Sequence, residues 1–393
     1  MPAIDPTLDD DMRALKETAT RFAREKIASQ YMSREKEARV EKSLIREMGE
    51  LGLIAPELPE AHGGLGLPSL ASGLIAEAIG YADINVSYLQ ILGSLNGKII
   101  AEHASPDLAK HWIGRIISGQ SIVCIGLTEP RGGSDAANLV LSARRDGNSY
   151  ILKGEKSSIS MADQADACVL FARTGKPEDG ARGVSAFLVP MDTPGITTQR
   201  YRDLGSHAIG RCSIFFDDVV VPVENRLAAE GAGFIQVMQG FDFSRALIGL
   251  QVIGSAQASL DETWAYTKER QAFGAPIAKN QGVTFPLAEA ETMLAAIRQL
   301  CYHTLRLKDA GLPHTSEAAM CKWLGPKTAV DIIHQCLITH GHYGWSLDLP
   351  HQQRMRDIMG LEIGDGTAQI MKLVIAREKV GRVAVQYQQQ KRD

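Results

Sequence analysis

A carboxylate between two glycines is the part of this 393-residue sequence best suited to proton transfer. Asp365 stands between Gly364 and Gly366, which leave the backbone sterically free. An apolar rhythm that begins at Thr367 predicts a helix directly after it. A carboxylate held at a helix entrance can act as a general base. Asp is also a favoured helix N-cap, so the local sequence leaves both interpretations open, and capping is the commoner one.

The segment Leu127–Asp135, which reads Leu-Thr-Glu-Pro-Arg-Gly-Gly-Ser-Asp, offers a second kind of chemistry. It follows a predicted strand and combines backbone donors, hydroxyl groups and flexible glycines, which suits a flat polar ring or a phosphate group. An ordinary loop between two strands has the same composition, so this segment alone does not decide. No Gly-x-Gly-x-x-Gly or Walker-type sequence occurs, which argues against a Rossmann nucleotide domain.

Arg270 precedes a break in a helical pattern, which Gly274 and Pro276 cause. An arginine at such a break can bind a phosphate group as a bidentate donor. The competing interpretation is a basic helix C-terminus followed by a turn.

Two further patterns are weak. The spacing of Cys336, His340 and His342 does not predict a metal site, because no other ligand cluster accompanies it. Ser346 lacks the Gly-x-Ser-x-Gly context of a serine hydrolase.

Composition bounds the class of protein. Hydrophobic residues make up 45% and charged residues 22% of the chain, as in ordinary globular proteins. A net charge of −4 gives no electrostatic reason to expect nucleic acid or an anionic membrane as partner. The six cysteines are scattered and are expected to be reduced. Because the acidic N-terminus lacks the apolar core of a signal peptide and no run reaches transmembrane length, we expect a cytoplasmic protein.

Three successive patterns along the chain predict an α+β fold. Residues 1–120 alternate helical stretches with short breakers and predict an N-terminal all-helical domain. Residues 121–227 contain short β-branched runs bounded by Gly, Pro, Asp and Asn, which predict a middle antiparallel β-domain. Residues 228–393 return to long amphipathic runs and predict a C-terminal four-helix bundle.

The predicted elements follow these patterns. The helices of the first domain are predicted at Leu8–Arg34, Glu41–Leu51, Leu70–Ile79, Asn85–His103 and Pro106–Ser118. The strands are predicted at Ile122–Leu127, Leu139–Ala143, Tyr150–Leu152, Cys168–Ala172, Val184–Val189 and Cys212–Val221. The bundle helices are predicted at Phe234–Arg270, Val283–Leu312, Ser316–Leu337 and Thr367–Gln389.

Taken together, these segments resemble the acyl-CoA dehydrogenase family from about Leu8 to Val383. Each motif is weak alone, but all of them occur in the family's order over an α–β–α layout. The motifs are Pro59–Gly66 (PEAHGGLG), Leu127–Asp135, Phe241–Arg245 (FDFSR), Arg270–Gln281 (RxxFGxxIxxxQ), Arg356–Asp357 and Asp365–Gln369 (DGTAQ).

The resemblance implies FAD as cofactor and an acyl-CoA thioester as substrate. It implies that Asp365 removes the α-proton while the β-hydrogen leaves as hydride to flavin N5, giving the 2-enoyl-CoA. Burial against the flavin is expected to raise the pKa of Asp365 above about 3.9. The positions that match FAD-binding residues are Leu127, Thr128, Gly133, Ser134, Ser158, Ser160, Arg270, Phe273, Gln281, Thr367 and Gln369. Those that match acyl-CoA contacts are Ser134, Phe241, Asp242 and Arg245, together with Gly364 beside the base.

The same resemblance implies partners. FAD bound across a subunit interface implies a homotetramer built as a dimer of dimers. The electron acceptor implied is an electron-transfer flavoprotein.

Three positions depart from the family pattern. Most members have Glu, after a bulky residue, where this chain has Asp365 after Gly364. The carboxylate is therefore about 1.5 Å shorter and the pocket is wider, which suggests an acyl group that is bulky at the α-carbon, such as cyclohexane-1-carboxyl. Ser158 replaces a common tryptophan beside the flavin, and Ile338 replaces a frequent glutamine at the pyrophosphate.

Two other functions stay open at this level. A flavin oxidase of the same fold, similar to nitroalkane oxidases, would also use an Asp base but needs no CoA channel. A helical scaffold protein without cofactor would need neither.

Overall fold

Helices fill the first part of the chain in the computed structural model, which describes residues 8–384. They are α1 Asp10–Phe22, α2 Tyr31–Glu37, α3 Lys42–Glu50, α4 Ser69–Ala82, α5 Ile84–His103 and α6 Pro106–Ile117. The run predicted at Leu8–Arg34 is not one helix, because a π turn and a 3-10 turn separate α1 from α2. Ala23 and Ile27 stay buried through this change, so the apolar pattern gave no sign of it. The helices α4 and α5 are apolar on most sides and are almost entirely buried.

A mixed sheet follows. Its strands are β1 Val123–Gly126, β2 Ser142–Asp146, β3 Ser149–Ser160, β4 Ala167–Arg173, β5 Val184–Pro190, β6 Ile196–Arg200, β7 Arg211–Pro222 and β8 Arg226–Leu227. They lie in the order β6-β7-β3-β2-β4-β5-β8, with β1 paired to β4. Most pairs are antiparallel as predicted, but β1 runs parallel to β4 over its whole length. No hairpin joins β1 to the sheet, so the antiparallel arrangement is not imposed there.

Two strands of this sheet were not predicted from the sequence, and one begins later than predicted. The edge strand β6 reads Ile-Thr-Thr-Gln-Arg and is mostly exposed, so it lacks the apolar run that marks an inner strand. The two-residue strand β8 is too short to leave a pattern. The strand predicted at Leu139–Ala143 begins at Ser142 instead, because Val140 N and Leu141 N donate to the Glu129 carboxylate rather than to a neighbouring strand.

Long helices form the last part. The elements are α7 Gly233–Glu269, β9 Gln271–Ala272, β10 Ala275–Pro276, α8 Gln281–Asp309, α9 Thr315–Thr339, α10 His342–Trp345, α11 His351–Met359 and α12 Ala368–Val380. The helix α9 packs against α7, α8 and α12, which confirms the predicted bundle. The helix α7 also packs against α4 and α5, so one apolar core joins the bundle to the first helices. The helix predicted to reach Gln389 ends at Val380, and residues 385–389 lie outside the described part.

A buried carboxylate connects the three parts of the chain. Asp357 on α11 accepts hydrogen bonds from Tyr31 Oη at 2.8 Å, Asn85 Nδ2 at 2.9 Å and Ser206 N at 2.5 Å. These donors come from α2, from α5 and from the loop before β7. Because a buried acceptor holds its donors in place, Asp357 fixes the bundle against both the sheet and the first helices.

Candidate functional site

Asp365 lies in the loop between the 3-10 turn Gly360–Glu362 and α12. Its backbone is left-handed, with φ +54, and Gly366 follows at φ +103. The N-cap of α12 is Thr367, whose side chain accepts from Ile370 N. The capping interpretation of Asp365 is therefore wrong, because Thr367 already satisfies that end of the helix. The Asp365 carboxylate is left available for another task.

Three cations from three elements surround this carboxylate. Burial raises the pKa of Asp365 above its usual value, while Lys322, Arg245 and Arg211 act in the opposite direction. Within residues 8–384 the carboxylate makes no hydrogen bond and no ion pair within 4.0 Å. Asp365 is thus a partly buried acid with an elevated pKa and an unoccupied hydrogen-bonding capacity, as a general base requires.

The loop that carries Asp365 is tied to α9 by Lys322. The Lys322 ammonium donates to Leu361 O at 2.6 Å and to Gly366 O at 3.1 Å. Lys322 is 1% exposed, and burial lowers its pKa to about 8 while Asp365 acts to raise it. Lys322 was not predicted as a site residue from the sequence. Its signal was a lysine on the apolar face of a helix, four residues after Ala318 and seven before Ala329, both of which are buried.

The residues of α7 that are expected to contact acyl-CoA lie next to the loop 363–367, which carries the proposed base Asp365 and is called the base loop below. Arg245 Nη1 donates to Asp242 Oδ1 at 2.8 Å, and the Arg245 guanidinium carbon lies 5.7 Å from the centre of the Phe241 ring. Asp242 Oδ2 also accepts from Thr315 Oγ1 at 2.6 Å. Arg245 Nη2 is 3.9 Å from the position that a Cβ on Gly366 would take. The structure therefore brings Phe241, Asp242 and Arg245 together with Asp365.

Tyr88 on α5 is a further site residue that the sequence analysis missed. Burial and the Asp365 carboxylate raise the pKa of Tyr88 to about 12, so its phenol is neutral at physiological pH. Tyr88, Ser160, Arg211 and Leu361 line one small cavity next to the base loop. A tyrosine in a helix that is apolar on most sides gave no local sign of this role.

The loop after β1 is fastened to β3 by a buried ion pair. Lys156 Nζ donates to Glu129 Oε1 at 2.8 Å and to Leu127 O at 3.0 Å. Ser157 N donates to Thr128 O at 2.9 Å. Burial lowers the pKa of Lys156 to about 8, and the Glu129 carboxylate opposes this shift. These bonds place Leu127 and Thr128 beside the end of β3.

Ser158 and Ser160 stand at that end of β3. The register between β3 and β7 shifts between Lys156 and Ile159, and Ser158 within this bulge has φ +57. A bulge redirects side chains out of the regular alternation. Ser158, Gly133 and Ser134 are exposed, and neither serine side chain forms a hydrogen bond within residues 8–384. The structure thus brings the predicted cofactor positions of the loop and of β3 to one surface with free donors.

The predicted positions on the turn between α7 and α8 form a separate group. The strands β9 and β10 make a hairpin whose two turn residues, Phe273 and Gly274, have φ +53 and +78, as a type I′ turn requires. The Phe273 ring is fully exposed, and Arg270 and Gln281 are also exposed. No hydrogen bond or ion pair in the described chain connects this hairpin to Leu127–Asp135.

The remaining predicted positions lie at the surface of the bundle. Thr367 is half-buried and Gln369 is exposed at the start of α12. Ile338 near the end of α9 is 54% exposed. Gly364 is exposed, and a Cβ at this position would meet only Gly360 O, at 3.5 Å, so the space beside the base is open. Among residues 8–384, no group of three or more His, Cys, Asp or Glu side chains is arranged to hold a metal, and no helix has the length and apolar character needed to cross a bilayer.

Three family models together match most of the described chain. Models of the N-terminal, middle and C-terminal domains of acyl-CoA dehydrogenase match residues 9–120, 124–219 and 231–380. This chain belongs to the acyl-CoA dehydrogenase family. Its members are oxidoreductases that act on a CH–CH bond with FAD.

Individual relatives agree with this assignment. The chain is 37% identical over 372 residues to the mitochondrial short-chain specific acyl-CoA dehydrogenase of Rattus norvegicus, covering 94% of this chain and 90% of that protein. Butyryl-CoA dehydrogenase from Megasphaera elsdenii superposes with a TM-score of 0.92 at 29% identity, over 96% of this chain and all of that one. A glutaryl-CoA dehydrogenase of Mycobacterium smegmatis in complex with FADH2 gives a TM-score of 0.91 at 27% identity, with 98% of both chains covered.

The residues present fit the cofactor of the acyl-CoA dehydrogenase family. The isoalloxazine ring and the two phosphate groups of FAD need backbone and hydroxyl donors that are not already used. Gly133, Ser134 and Ser158 are exposed and offer such groups. The scaffold hypothesis, which required no cofactor, is therefore wrong for this chain.

Proposed function

We propose that this acyl-CoA dehydrogenase oxidises an acyl-CoA whose acyl group is compact and branched or cyclic at the α-carbon, such as cyclohexane-1-carboxyl-CoA. The observation that carries the proposal is the base loop itself. Asp365 is a short carboxylate with no hydrogen-bond partner in the described chain, and Gly364 leaves the space beside it open. A short base and an absent side chain together make room for a bulky α-carbon.

Asp365 takes the α-proton of the thioester. Its own backbone N–H donates to no described residue, so it is available to polarise the thioester carbonyl oxygen. Arg245 and Lys322 favour the charged form of the carboxylate before the transfer. When bound, FAD supplies the acceptor for the β-hydrogen. The residues that would hold it are Leu127, Thr128, Gly133, Ser134, Ser158, Ser160, Arg270, Phe273, Gln281, Thr367 and Gln369.

Tyr88 supports a compact acyl group rather than a long linear one. Its side chain, on α5, forms part of the wall of the small cavity next to the Asp365 loop, which Ser160 of β3 also lines. A long chain directed at this wall would have to displace a partly buried aromatic ring, whereas a ring held at the α-carbon would not extend that far. The relatives described above are named for short-chain, butyryl and glutaryl substrates, so the cyclic substrate depends on positions 88, 364 and 365 of this chain.

The test is anaerobic reduction of the flavin by single acyl-CoA compounds. We expect cyclohexanecarboxyl-CoA to bleach the flavin absorbance faster than butyryl-, octanoyl- or glutaryl-CoA. Faster bleaching by a linear compound would refute the cyclic substrate and leave the family activity intact. Hydrogen peroxide production from a nitroalkane, without bleaching by any acyl-CoA, would favour the oxidase instead.

We also propose the assembly and the electron acceptor that the family resemblance implies. The supporting observation is the hairpin at Phe273, which exposes an aromatic ring fully and holds Arg270 without a side-chain partner in the described residues. A homotetramer would cover this hairpin and let it reach FAD of a neighbouring subunit. Light scattering measures the assembly state, and Arg270→Gln is expected to release FAD on dilution.

An electron-transfer flavoprotein is the proposed electron acceptor, and coupled reduction of that flavoprotein by the acyl-CoA-reduced enzyme tests it. A cytoplasmic location stays a prediction, which cell fractionation tests.

A further inference from the structure

One buried side chain holds both ends of the loop that carries the base. Leu361 O and Gly366 O, the two acceptors of the Lys322 ammonium, lie on either side of Asp365. Between them the loop has little other support. Ile363 N and Gly364 N both donate to Gly360 O, and these bonds stop one residue before Asp365.

The Asp365 backbone makes this support necessary. A left-handed φ is unfavourable for a residue with a Cβ and persists only where the surroundings hold it. Gly366 beside it can adopt many backbone conformations, so the loop could change shape and relieve the strain at Asp365. The hydrogen bond from Lys322 to Gly366 O opposes this change of shape.

Lys322 differs from an ordinary buried lysine in its lack of a carboxylate at contact distance. Its two acceptors are carbonyl groups, and no ion pair within 4.0 Å involves it in the described chain. Its charge is therefore not neutralised locally and acts on Asp365, the acidic group with the largest influence on Lys322.

We propose that Lys322 is a positioning residue for the proton-transfer step: it fixes the Asp365 loop through two carbonyl groups and directs an uncompensated positive charge at the carboxylate. The proposal rests on the role of Asp365 given above. Lys322 acts through Asp365, because its ammonium donates to the two carbonyl groups that flank that residue.

Other charged and titratable groups also face this carboxylate, so the charge of Lys322 must be separated from theirs. Those that act directly on Asp365 are Arg245 on α7, Arg211 on β7 and Tyr88 on α5. Those that act through Arg245 or Lys322 are Asp242 on α7, Arg377 on α12 and Glu362 next to the base loop. All of them remain in a Lys322 variant, so a change between variant and parent reports Lys322 alone.

The experiment compares Lys322→Met with Lys327→Met in the FAD-loaded enzyme. Both lysines are on α9, but Lys327 is exposed and pairs with Asp331 at 2.5 Å. Methionine keeps the length and apolar stem of lysine and removes the charge and the donors. We expect Lys322→Met to keep its FAD content and to lose roughly 10²-fold in kcat, because a base displaced by about 1 Å loses its alignment. Lys327→Met is expected to match the parent.

Two readouts distinguish positioning from a merely structural role. The acid limb of the pH profile of kcat/KM is expected to move to higher pH in Lys322→Met, since the loss of a nearby cation raises the pKa of the Asp365 carboxyl. Amide hydrogen exchange in residues 361–367 is expected to accelerate in the same variant, with or without substrate. An unchanged pH profile and unchanged exchange would overturn the proposal, whatever the effect on kcat.

A second variant keeps the test decisive if Lys322→Met does not fold. Lys322→Gln is slightly shorter, retains an N–H donor and removes the charge, so its pH profile must still move if the proposal holds. Asp365→Asn separates this inference from the proposed function. If Asp365→Asn keeps full turnover, the proposed base is wrong; if it is inactive while Lys322→Met has the parent's kcat and pH profile, only the role of Lys322 fails.

Discussion

Two loops of this enzyme are each held by a buried lysine, and they differ in what neutralises the lysine. In the loop after β1, Lys156 binds the Glu129 carboxylate at 2.8 Å and one carbonyl. In the loop before α12, Lys322 binds two carbonyl groups and no carboxylate. Burial lowers the pKa of both lysines to about 8. The contacts are alike in geometry, but only the second lysine has no carboxylate at contact distance.

This difference matches the two tasks. The loop after β1 carries predicted cofactor positions and has to keep its shape, which an ion pair that is neutral overall can do. The loop before α12 has to keep its shape and also hold an acid whose ionised form is costly to bury. Lys322 meets both requirements. Its hydrogen bonds to two carbonyl groups hold the loop, and its positive charge, which no carboxylate at contact distance neutralises, stabilises the ionised form of Asp365. The same side chain is thus a structural clamp in one loop and an electrostatic one in the other.

The largest expected effect concerns the base itself. Asp365→Asn removes the proton acceptor and preserves the shape of the side chain, so we expect FAD to stay bound and kcat to fall by roughly 10²- to 10⁴-fold or more. Stopped-flow reduction of the flavin measures it. If the variant keeps turnover within a few-fold of the parent, the carboxylate is not the base. Lys322 would then have no electrostatic role in proton transfer.

The next effect concerns the ion pair of the other loop. Lys156→Met leaves Glu129 buried with only the N–H groups of Val140 and Leu141, and breaking a buried pair in this way costs about 3–5 kcal/mol of stability. We expect a lower free energy of unfolding and weaker FAD retention, measured by urea unfolding and by cofactor release. The acid limb of the pH profile should stay in place, in contrast to Lys322→Met. The double variant Lys156→Met with Glu129→Gln should recover part of the loss. A shifted acid limb in Lys156→Met would erase the distinction between the two lysines.

A smaller effect is expected when the base is lengthened. Asp365→Glu keeps the charge near Lys322 and moves the carboxylate about 1.5 Å further into the pocket. We expect slower flavin reduction by cyclohexanecarboxyl-CoA and a smaller loss, or a gain, with butyryl-CoA. Equal rates for the ring substrate in parent and variant would count against a match between the short base and a bulky α-carbon.

The smallest expected effect concerns a third buried basic side chain, His351. Unlike the two lysines, it is neutral in the folded protein. Burial, together with His340 and Arg354, lowers the pKa of His351 from 6.5 to about 3. The unfolded chain therefore takes up a proton below pH 6.5 that the folded chain refuses, so this group makes the free energy of unfolding decrease as pH falls from 6.5 towards 3. We expect His351→Leu to show a shallower decrease between pH 6.5 and 4.5 in urea unfolding. Identical slopes would show that His351 does not contribute.

Much of the fold followed from the sequence. The helical spacing of apolar residues marked α3 to α9 within a few residues, and the change to short β-branched runs placed the sheet between two helical parts. What failed was local and explicable: the π turn at Ala23–Ile27 preserves burial, β6 is a polar edge strand, and the start of β2 depends on Glu129. These features depend on hydrogen bonds that the order of apolar and polar residues does not encode.

The sequence by itself determined the family, the α–β–α order and the candidacy of Asp365, because these depend on residue types at fixed spacings along the chain. Only the tertiary structure decided that Thr367 caps α12 and that Asp365 does not. It alone placed Tyr88, Arg211 and Lys322 around that carboxylate. These residues come from α5, β7 and α9, far apart in the chain, and a contact of that kind arises from packing of whole elements. No local pattern specifies it, so the environment of the Asp365 carboxylate became visible only in three dimensions.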